Sequence, residues 1–265
     1  MPELPEIETI VRHLRPAILK KKIVGLESNT PRLFRDHRNS SEVKRAILGQ
    51  RIEALSRLGK NIMFQLSNGK YLLLHLMMSG KLLVNPIGNR VHDRMVLRLS
   101  GNTRLVFNDA RKFGRCRVVE GFAGLVGPDA LSLSPVQFRE AVKARRGVIK
   151  SMLLNQKVLA GIGNIYADEI LWYARIHPLR RSDTLKKGEI DKLCGATQQV
   201  LELAVEREGS SMTYYRKPDG SQGGYYPVRK VYGRKGEPCP RDRAAISRIV
   251  VGQRSTHFCP SCQKL

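Results

Sequence analysis

The 265-residue chain has no apolar run approaching the ~20 residues that a membrane-spanning helix requires. Its apolar stretches, such as 72–74 and 76–78 on either side of His75, are far shorter. Acidic residues are scarce, with 23 Asp+Glu against 47 Lys+Arg. Aromatics make up 6%, with a single Trp, and there are only five cysteines. Internal repeats and low-complexity tracts are absent. These shortages exclude a membrane-spanning protein, a disulfide miniprotein, a collagen-like chain and a disordered one. The start, MPELPEIETI, carries charge and two prolines where a signal peptide would carry an apolar core, so a cytoplasmic location is expected.

The dominant property present is positive charge, +24 at neutral pH. An excess that large repels itself and calls for a polyanionic partner. Nucleic acid is the leading candidate and an anionic membrane surface the second. The length predicts two domains, each able to bury a core without disulfides.

The patterning predicts an α+β chain. Ile7, Ile10, Val11 and Leu14 form one helical stripe, with Pro5 in its first turn and Pro16 as its expected stop. Runs 62–66 and 71–76 flank Asn68-Gly69, and runs 95–99 and 105–107 flank Gly101-Asn102, two hairpin cues. No βαβ alternation appears. Residues 1–131 therefore read as a leading helix plus an antiparallel β-sandwich, and 132–137 as a linker. Residues 138–230 read as a helical domain, with helical segments at 136–145, 148–154, 165–173 and 190–208. Residues 209–227, rich in Gly, Ser and Tyr, form a loop too long to be a mere connector. Residues 231–265 carry β-prone runs at 231–232 and 246–251, and a cysteine cluster. Cys116 and Cys194, alone in periodic segments, read as buried thiols.

Cys239 and Asp242 are followed after 16 residues by Cys259 and Cys262. The second pair is a C-x-x-C knuckle; the first has Asp where a four-cysteine site has Cys. Tetrahedral zinc accepts a carboxylate oxygen, though thiolates suit it better. The spacing fits a weakened Cys3Asp zinc site and also a metal-free ribbon. Between the pairs, Arg248, Arg254 and His257 fall on an expected basic hairpin, either a DNA-contacting tip or a solvated face. At the other end, removal of Met1 would expose Pro2 as a secondary amine. A terminal amine titrates far below lysine and can attack a sugar C1′, with Glu3 and Glu6 beside it to move protons.

PELPEIET at 2–9 resembles the start of the formamidopyrimidine-DNA glycosylases, bacterial enzymes that excise oxidised purines. Leu58-Gly59-Lys60 resembles their lysine-bearing hairpin, and the segment from His75 to Gly80 their H-L-x-M-S-G. The segment from Asn108 to Gly114 resembles N-D-P-R-[RK]-F-G, with Ala110 for the usual Pro. Asn155-Gln156-Lys157 through Ala167 resembles the helix–two-turn–helix signature. Val231 to Arg234 and Val251 to Pro260 resemble the run into and through the zinc finger, with Asp242 for its second Cys.

The resemblance implies a glycosylase and AP lyase of base excision repair, a monomer acting on damaged double-stranded DNA in a basic cleft between its domains. It implies Pro2 as nucleophile, Glu3 as general acid/base, Glu6 as a support and Lys60 as proton donor and phosphate contact. Arg254 takes the last elimination step. Met78, Arg111 and Phe113 fill the gap left by the extruded base; from pattern alone, Met78 and Phe113 would be core residues. His75, His92, Arg145, Lys150 and Asn164 contact the DNA backbone, and Asn164 also precedes a helix whose N-terminus favours a phosphate. Zn2+ is held by Cys239, Asp242, Cys259 and Cys262, and 209–227 is a lid over the flipped base. Leu4 argues against the endonuclease VIII type, which prefers oxidised pyrimidines and usually begins PEGPE. Pro2, Glu3, Glu6 and Lys60 together argue against a non-catalytic DNA-binding relative.

Overall fold

Helix α1 (Leu4–Ile18) starts where the sequence predicts. Pro5 sits in its first turn, where a missing N–H costs nothing, and Glu6 Oε2 accepts the Glu3 N–H at 2.7 Å in a capping box. The stripe Ile7, Ile10, Val11, Leu14 is buried. The expected stop at Pro16 is corrected, because the helix continues to Ile18 with Pro16 inside its last turn. Proline there forfeits one backbone bond, and burial of Ile18 offsets it. The computed structural model describes residues 1–88, 91–212 and 214–265.

The first compact unit comprises Met1–Ala123 with Arg207–Gly224. It holds a short helix α2 (Ser40–Ile47) and two four-stranded antiparallel sheets. One sheet runs β1 (Ile23–Ser28), β6 (Asp93–Leu99), β7 (Thr103–Asn108), β5 (Lys81–Val84). The other runs β2 (Ile52–Leu58), β3 (Asn61–Leu66), β4 (Tyr71–His75), β8 (Arg115–Val119). Both expected hairpins form. Gly101 and Asn102 adopt φ +70° and +53°, the doubly left-handed turn that matches strand twist. Alternating residues of both sheets and the stripe of α1 share one core, including Phe64, Phe107, Leu74 and Leu97.

The second unit comprises Gly124–Glu206 and Tyr225–Leu265. It contains α3 (Pro135–Lys143), α4 (Ile149–Leu154), α5 (Asn164–Ala174), α6 (Lys187–Glu206) and a hairpin of β9 (Ser247–Val251) and β10 (Arg254–Phe258). The linker expected at 132–137 is largely a helix start. Ser134 caps α3, its Oγ accepting the Gln137 N–H at 3.3 Å while Gln137 Oε1 accepts the Ser134 N–H at 3.0 Å. The β-prone pair Val231 and Tyr232 forms no strand. Their N–H groups, with that of Lys230, donate to the buried Glu169 carboxylate at 2.7–2.9 Å and are unavailable for a ladder.

Most of the 209–227 segment departs from its expected place in the helical domain, since Arg207–Gly224 clusters with the N-terminal unit. Tyr215 is the anchor, buried in the N-terminal core. Glu208 adds polar ties, accepting from Lys217 at 2.5 Å and pairing with His13 at 2.8 Å. Thr213 lies outside the described residues. Among the described residues no helix is long and apolar enough to cross a membrane. Cys116 and Cys194 are buried, as expected, and burial pushes the Cys116 thiol up to about 12.

Candidate active site and metal centre

The start of α1 is enclosed. Pro2 is buried, and Glu3 and Glu6 are 3% and 1% exposed. Lys60 is buried beside the turn between β2 and β3, where Gly59 adopts φ +58°. Burial holds the α-amine of Met1, one residue before Pro2, below its ordinary range; Lys60 and Arg111 push it further down, and Glu3 and Glu6 pull it up. An amine so placed is unprotonated more often at neutral pH, and therefore more nucleophilic. Both oxygens of Glu6 accept backbone bonds. Oε2 accepts from Glu3 and Oε1 takes the Ser210 N–H at 2.7 Å. Glu6 is thus a fastener, and the Glu3 side chain closes the other half of the capping box by accepting the Glu6 N–H. Gly209, at φ +82°, lets the chain pass Glu6, since a Cβ there would lie 2.8 Å from its Oε1.

Met78, Arg111 and Phe113 stand far apart in sequence, and one buried side chain assembles their two loops. Asp109, 0% exposed, accepts the Ser79 hydroxyl and the Arg111 N–H (3.2 Å) on Oδ1, and the Gly114 N–H (2.9 Å) on Oδ2. Gly80 and Gly114 press on the Phe107 ring, where a Cβ would approach to 2.7 and 2.4 Å. Phe113 is half-buried rather than core. The Arg111 guanidinium lies 4.7 Å from its ring centre, and Arg35 donates to its carbonyl at 2.9 Å. Arg111 itself is exposed. Asp109 was legible only as part of a motif, and its short polar side chain in a Gly-flanked loop was the available signal.

His75 accepts the Met77 N–H on Nδ1 at 3.0 Å, which leaves Nε2 to carry the ring proton. Burial first, then Lys60, lowers its pKa to about 4. It is therefore a neutral donor at pH 7. His92 is exposed, and Arg94 Nη2 lies 3.2 Å from its Nδ1.

In the second unit Arg145 and Arg254 are exposed. Gly252 and Gln253 turn β9 into β10 with φ +53° and +61°, carrying Arg254 at the turn. Lys150 requires correction: it is fully buried and offers no surface to a phosphate. Its Nζ bonds Asp168 Oδ1 at 2.6 Å, Thr256 Oγ1 at 2.7 Å and the Ser255 carbonyl at 3.0 Å. Asp168 Oδ2 accepts the His257 N–H at 2.8 Å. His257 is accordingly buried, not a member of a basic tip. Asn164 is the first residue of α5, with Gly163 as its cap, so it does not precede the helix. Its Nδ2 donates to the Ser255 carbonyl at 2.9 Å, while its buried Oδ1 has no hydrogen-bond partner in the structure. Sequence reasoning missed Asp168, although a carboxylate within the apolar stretch of α5 was the signal for a buried partner.

Cys239, Asp242, Cys259 and Cys262 bring one ligand atom each to within 4.8 Å of one another. That spread suits four donors around a tetrahedral zinc. Asp242 Oδ1 and Oδ2 each lie 3.3 Å from Cys259 Sγ, so the carboxylate occupies the place of a fourth thiolate. The donor set fits a structural zinc ion. Carboxylate oxygen is harder than thiolate, so Asp242→Cys is expected to slow zinc loss to a chelator about tenfold or more. Competition with a chromogenic chelator checks this, and equal rates would remove Asp242 from the ligand set.

Comparison with known proteins covers the whole chain. Residues 1–116 match the formamidopyrimidine-DNA glycosylase N-terminal domain and 126–216 the H2TH domain of the same glycosylases. Residues 236–265 match a zinc finger found in FPG and IleRS. The formamidopyrimidine-DNA glycosylase of Chloroflexus aurantiacus is 43% identical, covering 99% of this chain and 98% of the relative. Lactococcus lactis Fpg, solved with DNA containing an abasic site, superposes with a TM-score of 0.90 at 34% identity, covering 99% of this chain and all of that one. A MutM solved with DNA containing carbocyclic 8-oxo-G gives 0.89 at 33%, with both chains fully covered.

Proposed function

Since this chain belongs to the formamidopyrimidine-DNA glycosylase family, we infer that it excises 8-oxoguanine and formamidopyrimidines from duplex DNA in base excision repair. Its relatives have been solved on abasic and 8-oxo-G DNA. The observation that carries the reading is the enclosure of Pro2 at the start of α1, with Glu3, Glu6 and Lys60 buried as well.

In this reading Met1 is removed and Pro2 becomes a secondary amine. Its nitrogen lone pair forms a bond to C1′ of the damaged nucleotide. The C1′–base bond breaks, and the base leaves with that electron pair and takes up a proton. Glu3 exchanges protons with the sugar ring oxygen as the ring opens to an iminium. The iminium acidifies C2′–H. Loss of that proton expels the 3′ phosphate, and a second elimination expels the 5′ phosphate, so the enzyme is also an AP lyase. Lys60 donates a proton and holds a phosphate, and Arg254 serves the last elimination.

C1′ is inaccessible in a stacked duplex, so the nucleotide is extruded. Met78, Arg111 and Phe113 fill the gap, a role supported by Asp109, which ties their two loops together through Ser79, Arg111 and Gly114. His75, His92, Arg145 and Asn164 bind backbone phosphates, His75 as a neutral donor. The burial of Lys150 assigns it instead to holding β10. The working unit is a monomer in the cytoplasm, drawn to DNA by its +24 charge.

Borohydride trapping tests the reading. A covalent adduct with an 8-oxoguanine:C duplex, exceeding that with an oxidised-pyrimidine duplex, is the expected result. The reverse order would identify an endonuclease VIII type, and no adduct a non-catalytic relative. Arg111→Ala is expected to narrow the preference between C and A opposite the lesion by about 1–3 kcal/mol, the worth of a base contact. Ratios of kcat/KM for the two duplexes check it.

A further inference from the structure

Trp172, the chain's sole tryptophan, is buried on α5 with its indole Nε1–H directed at Cys239 Sγ, 3.4 Å away. Arg241 lies over the same ring with its Cζ 3.6 Å from the ring centre. Its Nη1 bonds the Trp172 carbonyl and lies 3.8 Å from Cys262 Sγ, and its Nη2 donates to the Tyr173 carbonyl at 3.1 Å. Trp172, Val231, Ile246, Cys239 and Cys259 pack as one cluster. None of these contacts is needed by the glycosylase chemistry.

A neutral thiol is a weak acceptor, whereas a metal-bound thiolate is a charged one. Three thiolates and a carboxylate around a dication leave a net negative site. Two side-chain donors at its sulfurs, an indole N–H and a guanidinium, join backbone N–H groups such as that of Cys262, 3.5 Å from Cys259 Sγ, and are of the kind that relieves this charge. We propose that Trp172 and Arg241 are positioning residues of the finger's metal site. Trp172 donates to Cys239 and Arg241 to Cys262, so that metal uptake and docking of the ribbon on α5 are one event. The proposal rests on the zinc reading of the four ligands and is independent of the reaction on DNA.

Chelator competition on the full chain tests it. Trp172→Phe removes the indole N–H together with its five-membered ring and keeps an aromatic ring in the cluster. It is expected to weaken zinc binding about tenfold, in the range typical of outer donors to metal ligands. With Co2+ in place of zinc, the thiolate-to-metal absorption band should shift between wild type and Trp172→Phe. A purely packing role would leave the absorption band in place, and an unshifted band overturns the proposal. If Trp172→Phe fails to fold, Arg241→Gln at its half-exposed position reads the same shell. Severalfold weaker zinc binding supports the proposal and wild-type binding overturns it. Wild-type protein that takes up no zinc would instead overturn the metal reading on which the proposal stands.

Discussion

Protein that retains Met1 is expected to form no borohydride-trappable adduct with an 8-oxoguanine:C duplex, falling to background. In that form the Pro2 nitrogen is an amide, its lone pair delocalised into the carbonyl, and cannot become an iminium. The pocket sharpens the effect. Pro2 is buried, and burial, Lys60 and Arg111 depress even the Met1 amine that precedes it. The Met1 α-amine of that form is not expected to replace it, because it belongs to an exposed residue one position outside the buried Pro2. Pro2→Gly supplies a primary terminal amine after Met1 removal and should trap weakly rather than not at all. Mass spectrometry of the N-terminus, run on the assayed sample, makes the result decisive. Full trapping by a completely Met1-extended preparation would reject Pro2 as the nucleophile.

Asp168→Ala is expected to destabilise the protein by about 3–5 kcal/mol, the usual consequence of stranding a buried charge. Lys150 and Asp168 both have fully buried side chains, and their 2.6 Å pair joins α4 to α5 while bonding the backbone of β10. Removing the carboxylate leaves the ammonium in a site closed to water. Replacing both by apolar residues, Lys150→Met with Asp168→Leu, should recover part of the loss. The recovery is incomplete because the His257 N–H then lacks its acceptor, worth about 1–3 kcal/mol. Denaturant unfolding of the two singles and the double measures the coupling. Strict additivity would mean that the pair does not act as a unit.

The same pair shows what a sequence can and cannot convey. The stripe of α1, both hairpins, the helices of the second unit and the finger's spacing were readable because each depends on local periodicity or turn chemistry, whereas the short α2 was not read. The family motifs then supplied roles for Pro2, Glu3 and Lys60, which composition alone could not separate from other surface groups. Lys150 was misread because one lysine among 47 Lys+Arg looks like any other until a partner is seen. That partner, Asp168, lies a full helix away in the chain, and nothing in either local window refers to the other. Pro16 misled for a related reason. Its local cost is real, but the burial of Ile18 beyond it is a tertiary gain. The 209–227 segment was placed by chain neighbourhood, whereas Tyr215 and Glu208 attach most of it elsewhere.

The neck of that segment sets what sequence change the molecule tolerates. Ser210 and Gly224 pair across its base, and Gly223 approaches so closely that a Cβ would meet the Glu208 and Gly209 carbonyls at 2.3 and 2.4 Å. The exposed tip, around Asp219, Gly220 and Ser221, meets no such contact, and only Gly220, at φ +90°, is held to glycine there. Closing a longer loop over a fixed base costs only about 0.6 kcal/mol for each doubling of its length. Variation in this segment is therefore cheap at the tip and barred at the base. Its two ends behave as a socket into which tips of different length and chemistry can be exchanged, by divergence or by design, without disturbing Glu6.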